Sequence, residues 1–447
     1  MIPNPSELSH LHGAVEALVN AADPAVARAL DKALSGGEVS VDEAEALFGA
    51  QDAGLLALMA TADALRRRVN GDVVTYVVNR NINFTNVCIK HCGFCAFSRD
   101  HREEEGYFLP LNEIVRRAAE AAELGATEVC VQAGLPPKMD GSLYVDLARA
   151  IKSALPDMHI HGFSPEEVLY GAVRSRCSVE EYLVALRDAG VGSLPGTSAE
   201  VLAQSVRDRI APGRISAAQW REVITTAHRV GIPTTSTIMF GHVETDRERA
   251  EHLAFVRDVQ KETGGITEFV PLSFVHAEAP MWSKRLVDGI RPGATGADVI
   301  RMHAIARVVL HGWIDNIQCS WVKEGPKLAQ ALLSAGCNDV GGTLINESIS
   351  TSAGASYGQL VPPSELRRWV RDLGRVPAER DTLYRVRRTF EQEPSEPEAL
   401  DLAAEQPERF GSYAELIRMP EYRYEGQRAP RLEGPTLPEA LRARGER

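Results

Sequence analysis

Val77 to Arg99 reads VVNRNINFTNVCIKHCGFCAFSR, and two signals meet inside it. From Val78 to Phe84 apolar and polar residues alternate except at Arg80. A strand over about 77–84 puts Val78, Ile82 and Phe84 on one face and Asn79, Asn81 and Asn83 on the other. Just beyond it, Cys88, Cys92 and Cys95 form a Cys-x3-Cys-x2-Cys run. Three thiols so close together read as a metal site. Structural zinc normally takes four protein ligands, and here only His91 or His101 could complete the set. A cubane iron–sulfur cluster takes one thiolate per iron, so three cysteines leave one iron open to a further ligand. The polar neighbours Lys90, His91, Ser98 and Arg99 argue against a merely buried segment.

Outward from this stretch, strand-like runs recur near 127–132, 157–163, 191–195, 234–240, 266–273, 314–320 and 338–344. Helical periods such as 111–124 and 298–311 separate them. Strand and helix in alternation give parallel βαβ units, and eight of them predict an α/β fold, a closed (β/α)8 TIM-type barrel. Active sites of such barrels lie at the C-terminal ends of the strands, where the cysteine run begins.

Several strands carry polar residues where a purely structural barrel prefers Val, Ile and Leu. His159 and His161 share a face of the third strand, and Asn316, Gln318 and Ser320 share one of the seventh. Buried amides and imidazoles are costly unless hydrogen-bonded, so these rows point to a polar ligand in the lumen. The loops add Gln132-Ala133-Gly134, whose small residues permit close backbone approach, and Ser193 to Glu200, where Thr197 and Glu200 have capping-box spacing. Gly241-His242-Val243-Glu244 puts an imidazole and a carboxylate together at the expected rim. His242 is the candidate proton acceptor, with Glu244 beside it.

Residues 1–72 read as a helical extension, with Leu8, Leu11, Val15 and Leu18 in helical spacing and Ser40 with Glu43 as a capping box. The barrel is assigned to 73–357. Residues 358–447 form a helical or irregular extension, basic over 375–388 and rich in Pro and Glu from Glu391 onward. A net charge of −12 disfavours nucleic acid or an anionic membrane as partner. No signal segment and no long apolar run is seen, and the cysteine usage fits a reducing compartment, so a cytoplasmic protein is expected.

The segments CVQAGLPP, HIHGFSPEEV, GVGSLPGTSAEVL, GIPTTSTIMFGHVET, NIQCSWVKEG and NDVGGTLINESISTSAGAS, with the cysteine run, resemble the radical S-adenosylmethionine superfamily. Within it they resemble the tyrosine-using component of FO synthase, over roughly 70–390. One departure is Ala133-Gly134-Leu135-Pro136, where the family pattern has Gly-Gly-Leu followed by His or Asn. The resemblance implies a [4Fe-4S] cluster on Cys88, Cys92 and Cys95, with S-adenosylmethionine on the open iron and held by Gln132, Gly134, Ser164 and Glu200. It implies cleavage of L-tyrosine at Cα–Cβ and transfer of the 4-hydroxybenzyl fragment to 5-amino-6-(D-ribitylamino)uracil in deazaflavin biosynthesis. Asn81, His161, Asn316 and Gln318 are the substrate-binding candidates. A ferredoxin or flavodoxin would feed the cluster, and a second radical enzyme would complete the ring. The radical enzymes of the futalosine menaquinone route are the alternative, and a non-catalytic iron–sulfur or zinc protein is the alternative of another class.

Overall fold

A computed structural model describes residue 13 and residues 15–426. Leu8, Leu11 and the part of the C-terminal extension beyond 426 lie outside the described residues. The strand predicted over 77–84 is seen as β2 (Asn79–Ile82), preceded by a further strand, β1 (Val73–Val77). It is followed by β3 (Glu128–Val131), β4 (His159–Gly162), β5 (Val191–Ser193), β6 (Thr234–Phe240), β7 (Ile266–Ser273) and β8 (Asp339–Gly342).

These strands close a ring. β2, β3, β4 and β5 pair in order, and a Leu194–Thr234 bridge carries the sheet to β6 and β7. The predicted strand at 314–320 is reduced to strand-like pairing, with bridges Phe269–Ile317 and Gln318–Asp339. Asn338 explains how so short a run holds its place: its Oδ1 accepts the Ile317 N–H at 2.9 Å, and its own N–H donates to the Ile317 carbonyl at 3.1 Å. β8 then pairs with β1 in parallel and completes the barrel.

Capping boxes start the outer helices where the connecting loops end: Ser164/Glu167, Ser178/Glu181, Ser216/Gln219, Thr245/Glu248 and Thr295/Asp298. The expected box at Thr197 and Glu200 does not form. Ser198 (φ 61°) and Glu200 (φ 39°) take left-handed backbone instead, and the next helix begins at Gln204. Ser40 and Glu43 do cap the helix Val41–Phe48, which packs with Pro24–Leu34 and Asp52–Asn70 against the barrel helix Gly296–Leu310.

The C-terminal extension is not separate from the barrel. Its basic segment is extended: β9 (Val376–Arg380) pairs in parallel with β1 on the side away from β8, and β10 (Val386–Thr389) turns back on β9. The boundary at 357 marks where the repeating pattern stops, while the contacts continue. Arg380, 2% exposed, reaches the first residue of β8 and donates to both oxygens of Asp339, at 2.6 and 3.1 Å.

His303, on the helix Gly296–Leu310, is wholly buried; its Nδ1 faces the Val299 carbonyl at 2.8 Å and its Nε2 has no partner among the described residues. Burial holds its pKa down to about 4, so it is neutral in the fold while the unfolded chain takes up a proton below about 6.5. This contribution to stability is complete above that pH and is lost as the pH falls towards 4. His303→Leu is expected to flatten the fall in unfolding free energy between those limits by up to about 3 kcal/mol. Urea unfolding at several pH values checks it, and parallel curves for variant and parent would refute it.

Candidate active site at the barrel mouth

A cavity of about 390 Å³ runs down the barrel from the loops at the C-terminal strand ends. Cys88, Cys92, Phe94 and Cys95 line its mouth. The cysteine loop is strapped down through its backbone: Cys88 N–H donates to the Arg99 carbonyl (3.0 Å), Ile89 N–H to Leu135 (2.8 Å) and Gly93 N–H to Ile210 (2.8 Å). Gly134 lets the loop after β3 come this close. A Cβ there would lie 2.4 Å from the Val87 carbonyl oxygen, next to the first cysteine.

Arg214 gathers this end of the cavity. Its guanidinium donates to Cys92 Sγ at 3.2 Å and to Ser198 Oγ at 2.8 Å, stands 3.4 Å from Glu200 and 3.6 Å from Glu166, and lies over the Phe94 ring. Burial pushes the Cys92 thiol up to about 11 despite Arg214, and pushes Cys88 up as well. Buried thiols resist ionisation unless a metal takes the proton's place, so ligation here releases protons. Among the described residues, no group of three or more His, Cys, Asp or Glu side chains is arranged to hold a single metal ion. A cluster needs one thiolate at each of three irons, and that donor set is present at one cavity wall.

Further down, Asn79, Asn81, Glu128, His161, Glu268 and Gln318 line the lumen. Glu128 is the first residue of β3 and Asp339 the first of β8, so this charged layer is the floor. Asn79 Nδ2 donates to Glu128 at 2.9 Å, and Gln318 Nε2 to Glu268 at 3.1 Å. Tyr384, from the extension, donates to Glu268 and stacks on Arg380 at 3.9 Å. Burial raises the Glu268 carboxyl; Arg380 opposes it and Asp339 adds to it. His161 and His159 both contact Ser193 Oγ, at 2.7 and 2.8 Å, and burial holds His161 at about 4, hence neutral. Asn81 Oδ1 is buried on the cavity wall without a donor among the described residues, which is what a polar ligand would satisfy.

The structure therefore brings Cys88, Cys92, Cys95, Gln132, Gly134, Ser164, Glu200, Asn81, His161 and Gln318 to one cavity. It does not bring His242, Glu244 or Asn316 there. His242 is fully buried behind the rim, its Nε2 facing the Met239 carbonyl (2.9 Å) and its Nδ1 accepting the Val243 N–H (2.8 Å). Glu244 accepts from the Gly241 and His242 N–H groups and from Arg249 and Arg291. Burial works against its charge, but His242, Arg249, the Gly241 N–H and Arg291 outweigh it and leave the carboxyl at about 2. With their donors and acceptors spent on the loop itself, the pair builds the rim and does not act in the cavity. Asn316 is tied to the Thr267 carbonyl and to Asn338 at the opposite end of the barrel.

Glu128, Glu268, Arg214 and Lys323 were missed by sequence reading. Glu128 shares a strand face with Gln132, and Glu268 sits inside TEFVPL, so alternation could have found those two. Arg380 enters from an element outside the repeating pattern, for which no local signal exists. Pro136, the departure from the family pattern, is not on the cavity lining; its carbonyl accepts the Tyr170 hydroxyl at 2.8 Å.

A closed parallel barrel with a three-cysteine loop after its first strand defines the radical S-adenosylmethionine class. The sequence profile of that superfamily matches residues 82–256, and that of the CofH/MqnC C-terminal region matches 263–393. The chain is 52% identical over 347 residues to the 5-amino-6-(D-ribitylamino)uracil–L-tyrosine 4-hydroxyphenyl transferase of Methanothermobacter thermautotrophicus, covering 78% of this chain and 94% of that one. It is 45% identical to the Methanocaldococcus jannaschii protein of the same name, covering 78% and 97%. It is 47% identical to FO synthase of Mycobacterium leprae, covering 77% of this chain but 40% of that one. The chain belongs to the family of 5-amino-6-(D-ribitylamino)uracil–L-tyrosine 4-hydroxyphenyl transferases. In fold it is similar to the FeFe-hydrogenase maturase HydG from Carboxydothermus hydrogenoformans (TM-score 0.62, 17% identity, 85% of each chain). It is similar too to methylornithine synthase PylB (TM-score 0.57, 16% identity, 87% and 99%).

Gly134→Ala is expected to lower iron content after anaerobic reconstitution well below the parent's about four per chain, because the added methyl displaces the Val87–Cys88 backbone. Iron and sulfide assays check this, with circular dichroism as the control for folding. Full iron loading in the variant would refute it.

Proposed function

We propose that this chain cleaves L-tyrosine at Cα–Cβ and joins the 4-hydroxybenzyl fragment to 5-amino-6-(D-ribitylamino)uracil. The observation that carries the reading is that the three cysteines and a lumen of amides, carboxylates and a neutral imidazole open onto one cavity. The names of the relatives support this reading over a menaquinone-route enzyme. When bound, the cluster and S-adenosylmethionine supply one-electron reduction and hydrogen-atom abstraction.

The chain's own residues then bind, orient and exclude water. Arg214 stabilises charge on Cys92 and fixes Glu200 and Glu166 beside it. Gln132, Gly134 and Ser164 border the same part of the cavity and are suited to the cofactor's polar groups. A ribityl chain and a pyrimidine present many neutral donors and acceptors, which Asn81, His161 and Gln318 match. Glu268, raised by burial, replaces His242 as the group suited to take up a proton.

No helix among the described residues is long and apolar enough to cross a membrane. A cytoplasmic enzyme fed by a small ferredoxin or flavodoxin fits this reading. So does transfer of the product to a second radical enzyme, since this chain matches 40% of the longer FO synthase.

Anaerobic reconstitution with both substrates should give 5′-deoxyadenosine and the coupled product by mass, and Cys92→Ala should abolish both. A colourless, iron-free protein, or turnover only of a menaquinone precursor, would overturn the reading. Gln318→Leu should raise KM for the aminouracil about tenfold or more while 5′-deoxyadenosine formation remains measurable. An unchanged KM removes Gln318 from the substrate site.

A further inference from the structure

Lys323 sits on the short helix Trp321–Glu324, within SWVKEG, and its side chain lines the cavity. The other lysine and arginine side chains on that lining are paired. Lys90 is 3.2 Å from Glu166, Arg214 3.4 Å from Glu200, and Arg380 2.6 Å from Asp339. Lys323 makes no ion pair and no side-chain hydrogen bond among the described residues. Burial works against its charge, and the carboxylate that most offsets this is Glu347, with Glu324 next.

Glu347 lines the same cavity and is held rigidly, both oxygens accepting the Ser350 N–H at 2.9 and 3.1 Å. Glu324 is not on the lining; its Oε1 accepts the Ser273 N–H at 3.2 Å. Lys323 and Glu347 thus face one space without touching. An ammonium without an ion-pair partner in a partly buried cavity is costly and is stabilised by an incoming anion. A fixed carboxylate beside it suits a cation. One ligand class carries both charges on adjacent atoms: an α-amino acid.

We infer that Lys323 and Glu347 form the receptor for the amino-acid head group, Lys323 taking the α-carboxylate and Glu347 the α-ammonium. This rests on the reading that tyrosine is a substrate. The methionine part of S-adenosylmethionine carries the same head group, and Cys95 is among the groups whose charge Lys323 feels, so the test must separate the two sources. The inference assigns the tyrosine head group.

The test is equilibrium dialysis on the reconstituted holoenzyme with tyrosine, tyramine, which lacks the carboxylate, and 3-(4-hydroxyphenyl)propionate, which lacks the amine. The parent should prefer tyrosine to either analogue. Lys323→Met should weaken tyrosine about ten- to a hundredfold and leave tyramine unchanged, so that the preference collapses. Lys323→Arg should restore part of it, and Glu347→Gln should remove the preference over the propionate. S-adenosylmethionine affinity should stay at the parent value throughout.

If Lys323→Met keeps the parent's preference for tyrosine over tyramine, or if S-adenosylmethionine affinity falls in place of tyrosine affinity, the inference is wrong. Should that variant not fold, Lys323→Arg and Glu347→Gln decide alone: unchanged preferences in both overturn it. A parent that binds and turns over no tyrosine overturns the functional reading as well. A parent active on tyrosine with unaffected variants overturns only this inference.

Discussion

The ion pair of Arg380 with Asp339 closes the floor of the barrel, and the depth and chemistry of the cavity follow from it. Asp339 opens β8 and is wholly buried, so its charge is tolerable only with a bidentate partner and the added Gly341 N–H. That partner comes from β9, outside the eight-fold pattern. The barrel therefore recruits the C-terminal extension to neutralise its own base. Once Arg380 is in place, Tyr384 stacks on it and reaches Glu268, and Gln318 completes the layer. The lumen then ends in a polar floor built from Glu128, Glu268, Gln318, Arg380 and Asp339.

At the other end, backbone geometry takes over the role that charge plays at the floor. The cysteine loop has little regular structure of its own. Its position is set by hydrogen bonds to Arg99, Leu135 and Ile210 and by the absence of a side chain at Gly134. Arg214 then supplies positive charge where burial opposes thiolates. The site thus joins a mouth able to hold ionised sulfur with a lumen in which burial keeps His161 neutral and raises the Glu268 carboxyl.

Much of this was legible in the linear order of residues. Period-two alternation placed Asn79, Asn81 and Gln318 on the lumen face, because side chains of a parallel strand can point only in or out. The spacing of Cys88, Cys92 and Cys95 put three thiols on one loop at the cavity mouth, since local sequence alone brings them together. Where local logic misled, a tertiary contact had won. His242 and Glu244 have the composition of an acid–base pair, but the turn after β6 folds them onto their own backbone, Arg249 and Arg291. Thr197 and Glu200 have capping-box spacing, yet Arg207 and Arg214 draw Glu200 towards the cavity and the helix starts later. Asn316 has the right parity on its strand but the wrong depth, because parity sets the face and not the height along the barrel.

By itself the sequence determined the barrel, the cysteine loop at its mouth and the polar character of its lumen, because each depends on periodicity or spacing within one element. Only the tertiary structure decided which charged groups meet: Arg380 pairs with Asp339 and Arg214 with Cys92, while Lys323 and Glu347 line one cavity without an ion pair among the described residues. The reason is physical. Whether a buried charge is neutralised, shared or left for a ligand depends on distances between elements far apart in the chain, and no local pattern encodes those distances.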